Sequence, residues 1–198
     1  QDKKTILSNK TNNNKKMLKT VKRIMSDLKE NAEQPIEGIN LYLTNKSQNS
    51  DDDNSHEKDL FTIHCDIDIK HGPYAGVVVH TILRIPEKYP YTAPAMNIAD
   101  DFKFTHEFHE HVLGTSICND MLSNYAWFFQ NSASTQPKVA SGWSSGYTLN
   151  VILSQMQVFF ADPDLPESLM PSQLAIEHLK KFSQTYKCPI CSQKRTYF

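Results

Sequence analysis

Residues 60–85 read Leu60-Phe61-Thr62-Ile63-His64-Cys65-Asp66-Ile67-Asp68-Ile69-Lys70-His71-Gly72-Pro73-Tyr74-Ala75-Gly76-Val77-Val78-Val79-His80-Thr81-Ile82-Leu83-Arg84-Ile85. Phe61, Ile63, Cys65, Ile67 and Ile69 recur at every second position, the period of a strand that buries one face. His71-Gly72-Pro73-Tyr74-Ala75-Gly76 is turn chemistry, and the β-branched run 77–85 predicts a returning strand. On the upstream side, residues 39–43 alternate as a short strand. On the downstream side, residues 95–98, entered from Pro94, predict a fourth. Four successive strands with tight turns make an antiparallel meander.

Helical spacing flanks this sheet. Leu18, Val21, Ile24 or Met25, and Leu28 predict an amphipathic helix with Lys22 and Arg23 on its exposed side. Leu149, Ile152, Leu153, Met156, Phe159 and Phe160 predict a strongly apolar helix beginning near Tyr147 or Thr148 and stopped by Asp162-Pro163. Ser172 caps a further helix with Leu174, Ile176, Leu179 and Phe182 as apolar positions. Residues 99–146 show no sustained period, and so long an irregular span inside a compact domain is usually functional. The fold class is therefore α+β: an N-terminal helix, a four-stranded antiparallel meander, a long loop and C-terminal helices.

The chain has 198 residues, 39% of them hydrophobic and 22% charged. That is an ordinary globular composition with enough chain for a real core. Residues 1–14 are Lys/Asn-rich and read as a disordered tail. Residues 15–187 read as one domain with insertions at 45–58 and 124–142, and residues 188–198 as a tail. The net charge of −1 gives no basic field and argues against a nucleic-acid partner. No apolar run is long enough to span a membrane. Four cysteines are too few and scattered for a disulfide scaffold, which points to a reducing, intracellular setting, cytoplasmic or nuclear. The chain starts at Gln1 rather than Met, which leaves targeting open. Cys65, inside an apolar strand, reads as a buried thiol.

Chemistry concentrates around Gly114-Thr115-Ser116-Ile117-Cys118-Asn119-Asp120-Met121-Leu122. Cys118 lies in the irregular span, after a segment that loosens the backbone and before two polar residues. A thiol suits acyl carriage because its ester is reactive and its thiolate leaves well. Further pieces frame it: Pro73-Tyr74-Ala75-Gly76, Tyr89-Pro90-Tyr91-Thr92-Ala93-Pro94, His109-Glu110-His111, and Trp143-Ser144-Ser145 ahead of the apolar helix. Each alone is weak. In this order, from about Leu18 to about Leu165, they resemble the ubiquitin-conjugating enzymes.

The resemblance implies the ubiquitin-conjugating core fold and thioester carriage of ubiquitin or a ubiquitin-like protein on Cys118. It further implies an activating enzyme as donor, a ligase as helper and a substrate lysine as acceptor. His109-Glu110-His111 stands where the family has His-Pro-Asn, so His111 takes the position of an asparagine that supports the loop and the developing oxyanion. An imidazole N–H can donate there, more strongly when the ring is protonated. The carboxylate that the family sets near the cysteine matches Asp162 or Asp164, of which Asp164 is taken forward. Partner contacts would fall on Lys22, Arg23, Tyr91, and the Ser145-Gly146 pair, which replaces a Pro-Ala pair of many members. Residues 124–142 exceed the usual connection, and their aromatic Tyr125-Ala126-Trp127-Phe128-Phe129 suggests either a tucked loop or a partner surface. The altered triplet also motivates a second reading, a catalytically silent member used as a binding module.

A third reading involves metal. His106, His109 and His111 with Cys118 contain zinc-ligand types, but no His-x-Glu with Pro-Cys-x-x-Cys and no His-Glu-x-x-His occurs. Cys188-Pro189-Ile190-Cys191 is half of a zinc knuckle and would need a second pair from His178, from further residues or from another chain. The expectation is no cofactor, with Cys188 and Cys191 as weak candidates for zinc.

Overall fold

The computed structural model describes residues 2–45, 58–125 and 142–191, with side chains from Lys16 onward. Its elements are α1 (Asp2–Glu33), β1 (Ile39–Asn45), β2 (Lys58–Asp68), β3 (Val78–Arg84), β4 (Ala95–Ile98), β5 (Val112–Leu113), β6 (Ser116–Ile117), α2 (Leu149–Ala161), a 3-10 turn (Glu167–Leu169) and α3 (Gln173–Thr185). This is the α+β arrangement expected, with three differences.

First, α1 begins at Asp2 and runs through the stretch read as a disordered tail. No Gly or Pro occurs before Pro35, so nothing in the sequence breaks the helix. Second, its buried face follows the apolar stripe only in part: Ile24 is buried and Leu28 packs against the core. Leu18 and Met25 are exposed, while Thr20, Ile24 and Asp27 are buried. Polar anchors set this rotation. Thr20 Oγ1 lies 2.8 Å from the carbonyl oxygens of both Glu87 and Tyr89. Asp27 accepts from Arg23 Nε at 2.8 Å and from the Tyr89 hydroxyl at 2.5 Å. Third, the sheet has six strands, in the order β1-β2-β3-β4-β6-β5. The two extra strands form a hairpin inside the long loop, too short for any period to reveal.

The meander is antiparallel throughout, with Cys65 opposite Thr81 and Asp66 opposite His80. Alternation puts Ile63, Cys65 and Ile67 on one face and His64 and Asp66 on the other. All five are buried, so β2 is covered on both sides. The apolar face joins Ile24, Leu149, Ile152, Leu153, Met156 and Phe160 in the core. Cys65 is fully buried, as expected, and burial pushes its thiol far up. The segment after α3 covers the other face. Tyr186 sets its ring 5.4 Å from His80 and donates to Asp101 at 2.5 Å.

The two C-terminal helices start as read. Thr148 precedes α2 and donates to Glu30 at 3.1 Å, tying α2 to α1. Ser172 caps α3, its Oγ accepting from the Ala175 amide at 3.2 Å. Leu174, assigned to the apolar side of that helix, is instead exposed, while Ile176 and Leu179 are buried. No helix among the described residues is long and apolar enough to cross a membrane.

Candidate active site

Cys118 follows β6 directly. The hairpin that carries it turns at Gly114, whose φ of 63° is left-handed and suits glycine. Val112 pairs with Ile117 and Leu113 with Ser116. The ladder continues one step further, because the Cys118 amide donates to the His111 carbonyl at 2.8 Å. Cys118 and His111 therefore stand opposite one another across the hairpin. Val112 and Ile117 point into the core, so alternation turns Cys118 and His111 the other way, where both are partly exposed. Burial pushes the Cys118 thiol pKa up and so disfavours the thiolate at rest.

The His109-Glu110-His111 triplet is fastened to the end of α2 residue by residue. His109 Nε2 donates to the Phe159 carbonyl at 2.9 Å, and the His109 ring stacks on Phe159 with centroids 3.8 Å apart. The Glu110 amide donates to the Pro163 carbonyl at 3.1 Å. His111 Nε2 lies 3.0 Å from Asp164 Oδ2. Asp164 itself sits in the left-handed region with φ of 52°, a conformation that Asp tolerates better than most residues. Asp164 and His111 are brought together here, and His111 is linked in turn to Cys118 through the backbone. Asp162 accepts from the Asp164 amide at 3.4 Å, which helps shape the loop.

His109 was read only as part of a His-rich loop. It is buried, and its Nδ1 accepts from the His111 amide at 3.1 Å while Nε2 donates. Both nitrogens are used by the neutral ring, and burial lowers its pKa from 6.5 to about 4. The unfolded ring takes up a proton below about pH 6.5 that the folded ring refuses, so stability falls as pH drops from there towards 4. Thermal melts across that range should show this slope. His109→Gln should make it shallower, and an unchanged slope would remove His109 as its source.

The partner candidates converge on one region. Tyr91 is 81% exposed, and Lys22, Ser145 and Gly146 are exposed too. The loops bearing them are packed together, since Trp143 Nε1 donates to the Pro90 carbonyl at 2.9 Å. Arg23 departs from expectation. Its guanidinium donates to the carbonyls of Ser145 at 3.0 Å and Tyr147 at 2.6 Å while its Nε holds Asp27. Arg23 is thus a strut between α1 and the 142–147 loop, since a buried Asp27 needs a cation and donors beside it. The aromatic segment 126–129 lies outside the described residues.

The metal candidates also fall into place differently. His106, His109 and His111 do not converge with Cys118 on a common centre. Cys188 and Cys191 sit beside His64 and His80, and these four form a group whose ligand atoms lie within 4.8 Å of one another. His178 is not among them. The histidines were missed because the reading of β2 followed its apolar face.

A family model described as ubiquitin-conjugating enzyme matches residues 23–191. No curated protein matches the chain. The matched span runs from the Arg23 strut to the second cysteine of Cys-Pro-Ile-Cys and takes in every strand of the sheet, so the chain belongs to the ubiquitin-conjugating enzyme family.

Proposed function

We propose that this protein carries ubiquitin or a ubiquitin-like protein as a thioester on Cys118 and passes it to a substrate lysine. Family membership supports a ubiquitin-conjugating type of function in general. The observation that carries the finer reading is the partly exposed Cys118, placed opposite His111 on a hairpin whose partner histidine contacts Asp164. The incoming thioester carbonyl would be attacked by the Cys118 sulfur after loss of its proton, releasing the donor's thiolate. In the second step the lysine amine attacks the new thioester, and charge builds on the carbonyl oxygen. His111 is the N–H donor assigned to that oxygen. Free lysine, with a pKa of roughly 10.4, is mostly protonated at neutral pH. Asp164 is the carboxylate assigned to receive its proton. Lys22, Tyr91, Ser145 and Gly146 supply the surface for the activating enzyme and ligase.

Incubation with activating enzyme, ATP and ubiquitin should produce a mass increase of one modifier that reductant removes. A panel of ubiquitin-like proteins with their own activating enzymes identifies the modifier. The replaced proline and asparagine of the triplet favour one other reading, a silent binding module. Absence of any thioester across that panel, with retained binding to a charged or free modifier, would select it.

A further inference from the structure

We propose that His64, His80, Cys188 and Cys191 form a structural zinc site that clasps the segment after α3 onto the sheet. Cys118 is not among these ligands, and the site does not depend on the thioester reading.

The ligand types are two imidazoles and two thiols, a Cys₂His₂ set for tetrahedral zinc. Their spacing matches the metal. With Zn–N near 2.0–2.1 Å and Zn–S near 2.3 Å, tetrahedral angles place two nitrogens about 3.3 Å apart and a nitrogen and sulfur about 3.6 Å apart. His64 Nδ1 and His80 Nε2 are 3.1 Å apart. Cys188 Sγ is 3.6 Å from His64 Nδ1, and Cys191 Sγ is 3.8 Å from His80 Nε2. The four atoms thus converge on one centre from three parts of the chain.

The surroundings point the same way. His80 Nδ1 lies 2.7 Å from Asp66 Oδ1, an acceptor-only carboxylate. The ring proton therefore sits on Nδ1, and Nε2 turns a lone pair towards the cluster. This carboxylate–histidine arrangement is the usual support of a zinc-bound imidazole. Asp66 is held in turn by the Tyr42 hydroxyl at 3.0 Å. His64, Asp66, His80 and Cys188 are all buried. So dense a polar group is costly to bury unless something binds it together. Cys188-Pro189-Ile190-Cys191 supplies the two-residue spacing that turns both sulfurs to one side. Four protein ligands leave no open position, so the role is structural.

The test uses the full chain, purified without chelator and analysed for metal by mass spectrometry. About one zinc per chain is expected, retained through gel filtration. Cys188→Ser and Cys191→Ser should each lower that content at least about tenfold, and Asp66→Asn should weaken affinity about 10–100-fold. Cys118→Ala should keep the full content. Because the cysteine variants can fail to fold, cobalt is added to stripped wild-type protein. Thiolate-to-cobalt charge-transfer absorption should appear and be displaced by zinc. The proposal is overturned by wild-type protein that holds no zinc and gives no such absorption. It is equally overturned by a Cys188–Cys191 disulfide in protein isolated under reducing conditions, or by zinc content unchanged in both cysteine variants.

Discussion

Cys118→Ser should yield a modifier-linked protein that survives reductant, where the wild-type adduct does not. Serine keeps a nucleophilic atom in the same place, but its ester has a poorer leaving group than a thiolate, so the acyl group stays. Cys118→Ala should give no adduct at all. The three other cysteines serve as internal controls. Cys65 is fully buried, and Cys188 and Cys191 lie against His64 and His80. Serine at Cys65 or Cys188 should leave charging at Cys118 intact in any folded protein. The pH profile of charging adds a second check. Burial raises the Cys118 thiol, so the rate of attack should climb with pH as the thiolate fraction grows. Loss of charging in Cys188→Ser but not Cys118→Ala would place the nucleophile elsewhere.

His111→Ala should slow transfer from Cys118 to lysine by about 10²–10³-fold if His111 donates fully to the oxyanion. Stability should barely change. His111 and Asp164 are 45% and 71% exposed, and exposed pairs of this kind are worth roughly 0–1 kcal/mol. His111→Asn should restore much of the rate, because an amide N–H can donate from the same place. An unchanged rate of discharge to free lysine in His111→Ala would show that the residue only holds the loop.

How much of this was legible depended on whether a signal repeats. The alternation through Phe61, Ile63, Cys65, Ile67 and Ile69 is long enough to specify a strand, and with its turn and return it specified the sheet. The apolar helix from Leu149 to Phe160 was equally plain. The β5–β6 hairpin was not, because strands of two residues have no period. On α1 the stripe held at Ile24 and Leu28 but not at Leu18, because Thr20 and Asp27 anchor the helix by hydrogen bonds, which an apolar stripe cannot show. Arg23 looked solvated for the same reason; its partners are carbonyls more than a hundred residues away. At the site, motif order led to Cys118, His111 and Asp164 as the residues now proposed. What binds them together was hidden, since it runs through main-chain groups at Phe159 and Pro163. His64 and His80 occupied the unread face of strands whose other face was obvious.

The burial of β2 on both faces has a consequence for the order of assembly. His64 meets Cys188 across 124 residues, whereas His64, Asp66 and His80 come together within one hairpin. On a growing chain the sheet and the Cys118 hairpin are complete well before residues 186–191 exist. Until then His64 and His80 lack the cover of Tyr186, Cys188 and Cys191. The stretch 186–191, made after the sheet it covers, thus acts as a seal. A truncation ahead of Tyr186 would leave Cys118 and His111 in place on a domain with one flank permanently open, and such a domain is a ready substrate for proteases and chaperones.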